Sequence, residues 1–312
     1  MSSKTSSSTV DQELHPSGEW RVLPTLWKYA QTLKQIAVFT QLDLVVMGVA
    51  AMASVMWLLE LPLSPAPAVI ALVTFGVYVG DRISDVSDEP TATSARSEFM
   101  RRHRTLLSIG SALAYGLAIA IAAFGGPLAL AITLIPGAAW IVYASDLFDG
   151  LGSSLSRLKR VVILNSTIVG VAWGIAIVFL PISFAGAAIG PIAVVLFAYF
   201  TLDIFVGTEI PNLRDIEDDA ENGVKTLPLS FGITRTRHVI YTINVLIVGV
   251  LLYAFTTELL SLAFLGAALV GRAYAVVLHG FVGRTDRYRL LEFLGEMKHV
   301  LVAGVFALFL FS

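Results

Sequence analysis

Nine apolar runs divide this chain, and its basic residues fall almost entirely into alternate gaps between them. The approximate limits of the runs are 42–60, 66–80, 106–124, 127–145, 161–181, 185–206, 238–257, 259–280 and 296–311. Several approach the ~20 residues that a helix needs to cross a bilayer. With 56% hydrophobic residues, 14% charged residues and a mean hydropathy of +0.78, the composition is that of a polytopic membrane protein, not a soluble globule. The sequence therefore predicts an all-α membrane bundle of about nine transmembrane helices.

The basic residues test that count. Arg82 to Arg104 follow the second run, Arg157 to Arg160 the fourth, Arg214 to Arg237 the sixth and Arg284 to Lys298 the eighth. Lys4, Arg21, Lys28 and Lys34 precede the first, and the gaps after the odd-numbered runs hold no Lys or Arg. Of 21 basic residues, 20 fall on one side, and Arg272 lies inside the eighth run. By the positive-inside rule, the N-terminus and the even-numbered gaps are expected in the cytoplasm and the C-terminus outside. A wrong number of spans would have scrambled this segregation. Residues 1–25 are polar and Ser-rich and read as a disordered tail without the apolar stretch of a secretory signal. Residues 26–312 read as one transmembrane helical domain. The absence of cysteine excludes disulfides and thiolate metal sites, and the five histidines show no zinc spacing. The net charge of −2 says little about partners, and no nucleic-acid partner is expected.

Two acidic clusters carry the chemistry. Gly80-Asp-Arg-Ile-Ser-Asp-Val-Ser-Asp88 closes the second run, and its carboxylates at Asp81, Asp85 and Asp88 share one helical face. Asn212-Leu-Arg-Asp-Ile-Glu-Asp-Asp219 follows the sixth run and places Asn212, Asp215 and Asp219 on one face in the same way. The clusters lie four runs apart, so they point to the same side of the membrane. This spacing suggests two four-helix repeats plus a ninth helix. Oxygen-only ligand sets on facing helix ends suit Mg²⁺, which bridges carboxylates to substrate phosphates. The bland alternative is that these are charged helix ends sitting in water. Ser154-Leu-Ser-Arg-Leu-Lys-Arg160 supplies Lys159 and Arg160, where a diphosphate could rest, although ordinary flanking charge explains them equally. Inside the runs, Arg272 is costly enough to require a partner, and Asp203 and Asp43 are open candidates for a proton acceptor. Asp203 lies on the helical face opposite Asn212, which argues against a metal role.

These residues resemble the UbiA superfamily of intramembrane prenyltransferases. Asn212 to Asp219, with Gly223-Val-Lys-Thr226, is similar to that superfamily's second aspartate-rich motif and most like its menaquinone-type branch. Tyr143, Leu158-Lys-Arg160, Asn165 and Trp173 resemble its central segment. The resemblance runs over roughly residues 70 to 235. The first motif departs from the pattern: Gly80 stands for Asn, Ser84 for the middle Asp, and Asp85 comes one residue late, while Asp81 and Asp88 match. The Arg-Pro element that normally follows is missing, and Phe39-Thr-Gln-Leu-Asp43 also lacks the usual Arg-Pro.

The resemblance implies a Mg²⁺-dependent prenyltransferase. The metal would be held by Asp81, Asp85, Asp88, Asn212, Asp215 and Asp219. The donor, an isoprenoid diphosphate, would be met by Tyr143, Lys159, Arg160, Asn165, Arg214 and Lys225. Asp81, Asp85, Asp215, Asp219 and Lys159 would act in ionising the allylic C–O bond. The acceptor would be hydrophobic and membrane-dissolved, with an aromatic quinone precursor the first expectation. The altered first motif keeps open a carotenoid or glycerophospholipid acceptor and a terpene cyclase. Outside the enzyme class it leaves a transporter or lipid-binding protein.

Overall fold

The computed structural model describes residues 37, 39–88, 94–144, 164–221 and 224–311. For Asp85, Asp88, Tyr143, Asn165 and Asp218 it describes the backbone alone. The proposed tail, Lys159 and Arg160 lie outside the described residues. Every one of the nine apolar runs contains a helix, and there is no strand among the described residues.

The helices are α1 (Leu42–Leu58), α2 (Ala66–Asp88), α3 (Ala95–Arg102), α4 (Arg104–Phe124), α5 (Gly126–Ala144), α6 (Leu164–Ala185), α7 (Pro191–Arg214), α8 (Ile216–Glu221), α9 (Leu227–Thr256), α10 (Leu262–His279), α11 (Tyr288–Glu296) and α12 (Lys298–Phe311). Among the described residues, seven stretches of helix are long and apolar enough to cross a membrane: those built on α2, α4, α6, α7, α9 and α10, and α11 with α12 taken together. The apolar helices Leu42–Leu58 and Gly126–Ala139 are shorter. Length and composition thus give seven candidate spans where the sequence reading expected about nine. The two shortfalls are those short segments.

The long helices close into a ring. Each packs on the next in the order α1, α2, α4, α5, α6, α7, α9, α10, α12, and α12 returns to α1. Chain reversals at one end are tight. Each turns on a residue with positive φ, namely Glu60, Gly126, Gly186 and Glu258. Three of these turns close with the backbone bonds Leu61 N–H to Met56 O, Ala187 N–H to Ile182 O, and Leu259 N–H to Ala254 O, the left-handed helix cap. At the other end the connections are longer and hold the short helices α3 and α8. Ser94 starts α3 by accepting the Ser97 N–H, and Pro191 and Pro228 occupy first-turn positions that need no donor. Gly232, with φ 79°, kinks the start of α9 and lets the Leu227–Phe231 turn lie against the bundle before the long span begins.

Packing inside a bilayer gains little from excluding water, so close approach of small residues does much of the work. The best example is Gly170-Val-Ala-Trp-Gly174 on α6. A Cβ at Gly170 would stand 2.6 Å from the Thr201 carbonyl oxygen, and one at Gly174 would stand 2.6 Å from Thr201 Oγ1. Backbone cannot move aside cheaply, so α6 and α7 approach only because these positions are glycine. Gly170→Leu is therefore expected to destabilise the bundle by about 1–3 kcal/mol through overpacking. Unfolding in mixed micelles checks this, and an unaffected midpoint would show that the contact is loose. Beside this contact, Trp173 stacks on Tyr78 with ring centroids 5.8 Å apart, joining α6 to α2.

Candidate active site

All three acidic residues of the first cluster lie on one continuous helix, as their spacing predicted, because α2 runs unbroken to Asp88. Asp81 is half-buried near its end. The second cluster departs from the expectation of a single helical face. Helix α7 stops at Arg214, Asp215 adopts φ −99° and ψ 20°, and α8 starts at Ile216. The bend is shallow, because Asp215 N–H still bonds Pro211 O at 3.0 Å and Asp219 N–H bonds Asp215 O at 2.8 Å. Pro211, itself inside α7, removes one backbone donor just before the bend.

Side chains fix the second cluster in place. The Arg214 guanidinium grips Asp215 with two bonds of 2.6 Å, Nε to Oδ1 and Nη2 to Oδ2. Its third nitrogen, Nη1, reaches Glu292 of α11 at 2.6 Å. Such a planar fork holds a carboxylate in one orientation. Asp215, expected as a metal ligand, thus shares its carboxylate with Arg214, expected at the substrate. Asn212 turns inward: its Nδ2 donates to Glu209 Oε2 at 3.2 Å and to Ser166 Oγ at 3.3 Å, while Ser166 Oγ donates to Glu209 Oε1 at 2.6 Å. Lys225, also expected at the substrate, is exposed in the turn leading to α9. Among the described residues no three His, Asp or Glu side chains are gathered into a metal-holding group.

The polar end also gathers cations that the sequence reading passed over. Arg96 on α3 lies within electrostatic reach of Arg82 on α2, Arg214 on α7 and Arg289 on α11. Burial, and after it the neighbouring Arg82, Arg289 and Arg214, lower Arg96 to about 10, so it stays charged at neutral pH. Arg82 Nε donates to Gln41 Oε1 at 3.2 Å, tying α2 to the start of α1. The available signal was the helix-end position of each arginine, which by itself reads as flanking charge alone.

Deeper in the bundle lies a second polar centre. Asp203 on α7 is fully buried and ion-paired with Arg272 on α10. Its Oδ2 is 3.3 Å from both Lys298 Nζ and His299 Nε2 of α12. Arg272 Nη1 donates to Asn244 Oδ1 at 3.2 Å, and its guanidinium carbon lies 6.0 Å from the Tyr199 ring centre. The partner required for Arg272 is therefore Asp203. Two expectations change. Asp203 is engaged by cations rather than left open as a base, and Lys298, read as a flanking charge, is only 4% exposed inside the bundle.

A ring of membrane-spanning helices with acidic, amide and guanidinium groups gathered at one end defines an intramembrane enzyme that handles a charged group beside an apolar interior. The model of the UbiA prenyltransferase family matches residues 100–302, about two thirds of the chain, and the protein belongs to that family. The matched stretch contains the second acidic cluster and begins after the first. No curated protein matches the chain. Among solved structures, a UbiA homolog from Aeropyrum pernix K1 in its apo form aligns with a TM-score of 0.60 at 15% identity, covering 87% of this chain and 98% of its own. A structure of digeranylgeranylglyceryl phosphate synthase aligns at 0.58 and 14% identity, covering 89% and 98%. A UbiA homolog from Archaeoglobus fulgidus bound to DMAPP and Mg²⁺ aligns at 0.57 and 15% identity, covering 88% and 98%. At these identities the likeness establishes the fold.

Proposed function

We propose that this protein transfers a prenyl group from an isoprenoid diphosphate, with Mg²⁺, to a membrane-dissolved aromatic acceptor. The observation that carries the reading is the meeting at one bundle end of acidic helix ends, α2 and α7–α8, with the guanidinium groups of Arg82, Arg96, Arg214 and Arg289. The donor set fits Mg²⁺ chemically: Asp81, Asp85, Asp88, Asn212, Asp215 and Asp219 offer oxygen alone. Bound Mg²⁺ would neutralise charge on the pyrophosphate leaving group. The arginines and Lys225 hold the diphosphate by charge-assisted bonds, and the family resemblance assigns Lys159, Arg160, Tyr143 and Asn165 to the same substrate. Arg214 keeps Asp215 oriented while the donor binds. The allylic C–O bond breaks with its electron pair leaving on pyrophosphate, the acceptor carbon forms the new bond, and a base takes its proton. An apolar interior beside a charged end matches the amphiphilic donor.

In this reading all nine apolar runs cross the membrane, as two four-helix repeats, α1–α5 and α6–α10, each with a short helix in the same connection, followed by α12. The N-terminus and the site face the cytoplasm, where the diphosphate is found, and the C-terminus lies outside. The aromatic acceptor rests on the menaquinone-like form of Asn212 to Asp219. Product analysis with geranylgeranyl diphosphate and Mg²⁺, with and without a hydroxylated aromatic acceptor, tests it. Turnover that waits for the acceptor and yields a prenylated ring is expected. A terpene hydrocarbon or alcohol formed from the donor alone would replace the transferase by a cyclase. Products formed only with a glycerophosphate or carotenoid acceptor would change the acceptor class.

A further inference from the structure

The site described so far uses none of the chemistry of Glu209. This carboxylate is wholly buried on α7, one helical turn further into the bundle than Asn212. A buried carboxylate in a membrane span is expensive, and a mere link between α6 and α7 would need no charge. Its bonds form a closed three-membered circuit. Ser166 Oγ donates to Oε1 at 2.6 Å, Asn212 Nδ2 donates to Oε2 at 3.2 Å, and the same Nδ2 reaches Ser166 Oγ at 3.3 Å. Ser166 is itself 1% exposed, so the Ser166–Glu209 bond is shielded from water.

The circuit has a polarity. A carboxylate only accepts, so the group that faces Oε2 must donate. The Asn212 amide has one donating and one accepting end. Turning it over would set Oδ1 against Oε2 at about the same separation, oxygen against oxygen. Glu209 and Ser166 together take both hydrogens of Nδ2. The atom left to face away from the circuit is Oδ1, and an oxygen is what a hard divalent cation or its bound water requires.

We propose that Glu209 is a positioning residue. By holding the Asn212 amide nitrogen inward through the Ser166–Glu209 circuit, it makes Asn212 present its oxygen to a divalent cation at the α7–α8 end. This inference rests on the proposed function, in which Asn212 is a metal ligand. Partners of this kind commonly set metal affinity by 10- to 100-fold although they never touch the ion.

The test is a Mn²⁺ titration followed by electron paramagnetic resonance on the full chain in lipid nanodiscs, with inorganic pyrophosphate present. Glu209→Gln has almost the same volume but offers a donor as well as an acceptor, so the amide of Asn212 loses its fixed sense. Mn²⁺ affinity is expected to fall by at least ~10-fold. The exchanged pair, Glu209→Gln with Asn212→Asp, reverses the bond. The amide at position 209 then donates, the carboxylate at position 212 accepts, and one oxygen of that carboxylate still faces outward. This double variant is expected to bind Mn²⁺ within ~3-fold of the unaltered protein. Asn212→Asp alone controls for the added ligand charge: it sets two carboxylates against each other and is expected to bind Mn²⁺ more weakly than the exchanged pair, whereas equal binding would assign the recovery to the new carboxylate and overturn the proposal. Unchanged affinity in Glu209→Gln, or equal weakness in Glu209→Gln and the exchanged pair, would overturn the proposal. Failure of the unaltered protein to bind Mn²⁺ would overturn the metal-site reading and this inference with it, and is distinguished by being seen before any substitution.

Discussion

Asp203→Leu is expected to cost on the order of 3–5 kcal/mol of bundle stability, because it strands two buried cations at once. Arg272 is 2% exposed and Lys298 is 4% exposed, and both lean on the same carboxylate. The wild-type cluster ties together three helices of the second half of the ring, α7, α10 and α12. Around it lies an apolar core built from Leu196, Phe200, Ile247, Leu251, Phe264 and Phe306, a medium that screens charge poorly. Removing one member therefore leaves charge without a partner, which is worse than removing the pair. Adding Arg272→Leu to the same variant should recover a substantial part of the loss. Denaturation in mixed micelles across the double-mutant cycle reads the difference directly. A single-variant loss under ~1 kcal/mol would mean that water or neighbouring groups satisfy these charges, contrary to the packing seen.

The second large effect is on turnover. Asp215→Ala and Asp81→Ala are each expected to lower kcat by about 10²–10³-fold, the scale on which a single stabilising group acts on developing charge. The two differ in what else they disturb. Asp215 is clasped by Arg214, which also holds Glu292, so its loss releases a guanidinium and slackens α7 against α11. Asp81 carries its effect from α2. Glu292→Ala isolates the difference: it leaves Asp215 and its Arg214 fork in place but removes the tie to α11. It should therefore raise KM for the donor more than it lowers kcat. Steady-state kinetics with varied donor measures both constants. A transporter that merely kept the fold would show metal-independent flux and indifference to these substitutions.

Much of this was legible in the sequence for identifiable reasons. The apolar helices showed because apolar length is a one-dimensional property, although two of the nine runs hold helices, Leu42–Leu58 and Gly126–Ala139, that fall short of a candidate span among the described residues. The shared face of Asp81, Asp85 and Asp88 followed from helical periodicity, since nothing interrupts α2 before Asp88. The second cluster was harder to read. Neither glycine nor proline marks Asp215 itself, and the bend there follows Pro211, four residues earlier, which the periodic reading ran straight through. Arg272 announced that it needed a partner, but only the three-dimensional ring brings α10 to Asp203. Lys298 was misread because position in sequence made it look like a loop charge, whereas α12 begins with it turned inward. Glu209 was missed although it lies at i−3 from Asn212, a spacing that puts both on one face. Its neighbour in the circuit, Ser166, is 43 residues away and belongs to another helix, so no periodicity connects them.

The most direct test of the account is pyrophosphate release by the purified protein in lipid, supplied with geranylgeranyl diphosphate and an aromatic acceptor, with Mg²⁺ and then with EDTA. The account predicts release that stops on chelation, returns with added Mg²⁺, and is lost in both Asp81→Ala and Asp215→Ala. Release that continues undiminished in EDTA, or that survives both substitutions, would contradict it.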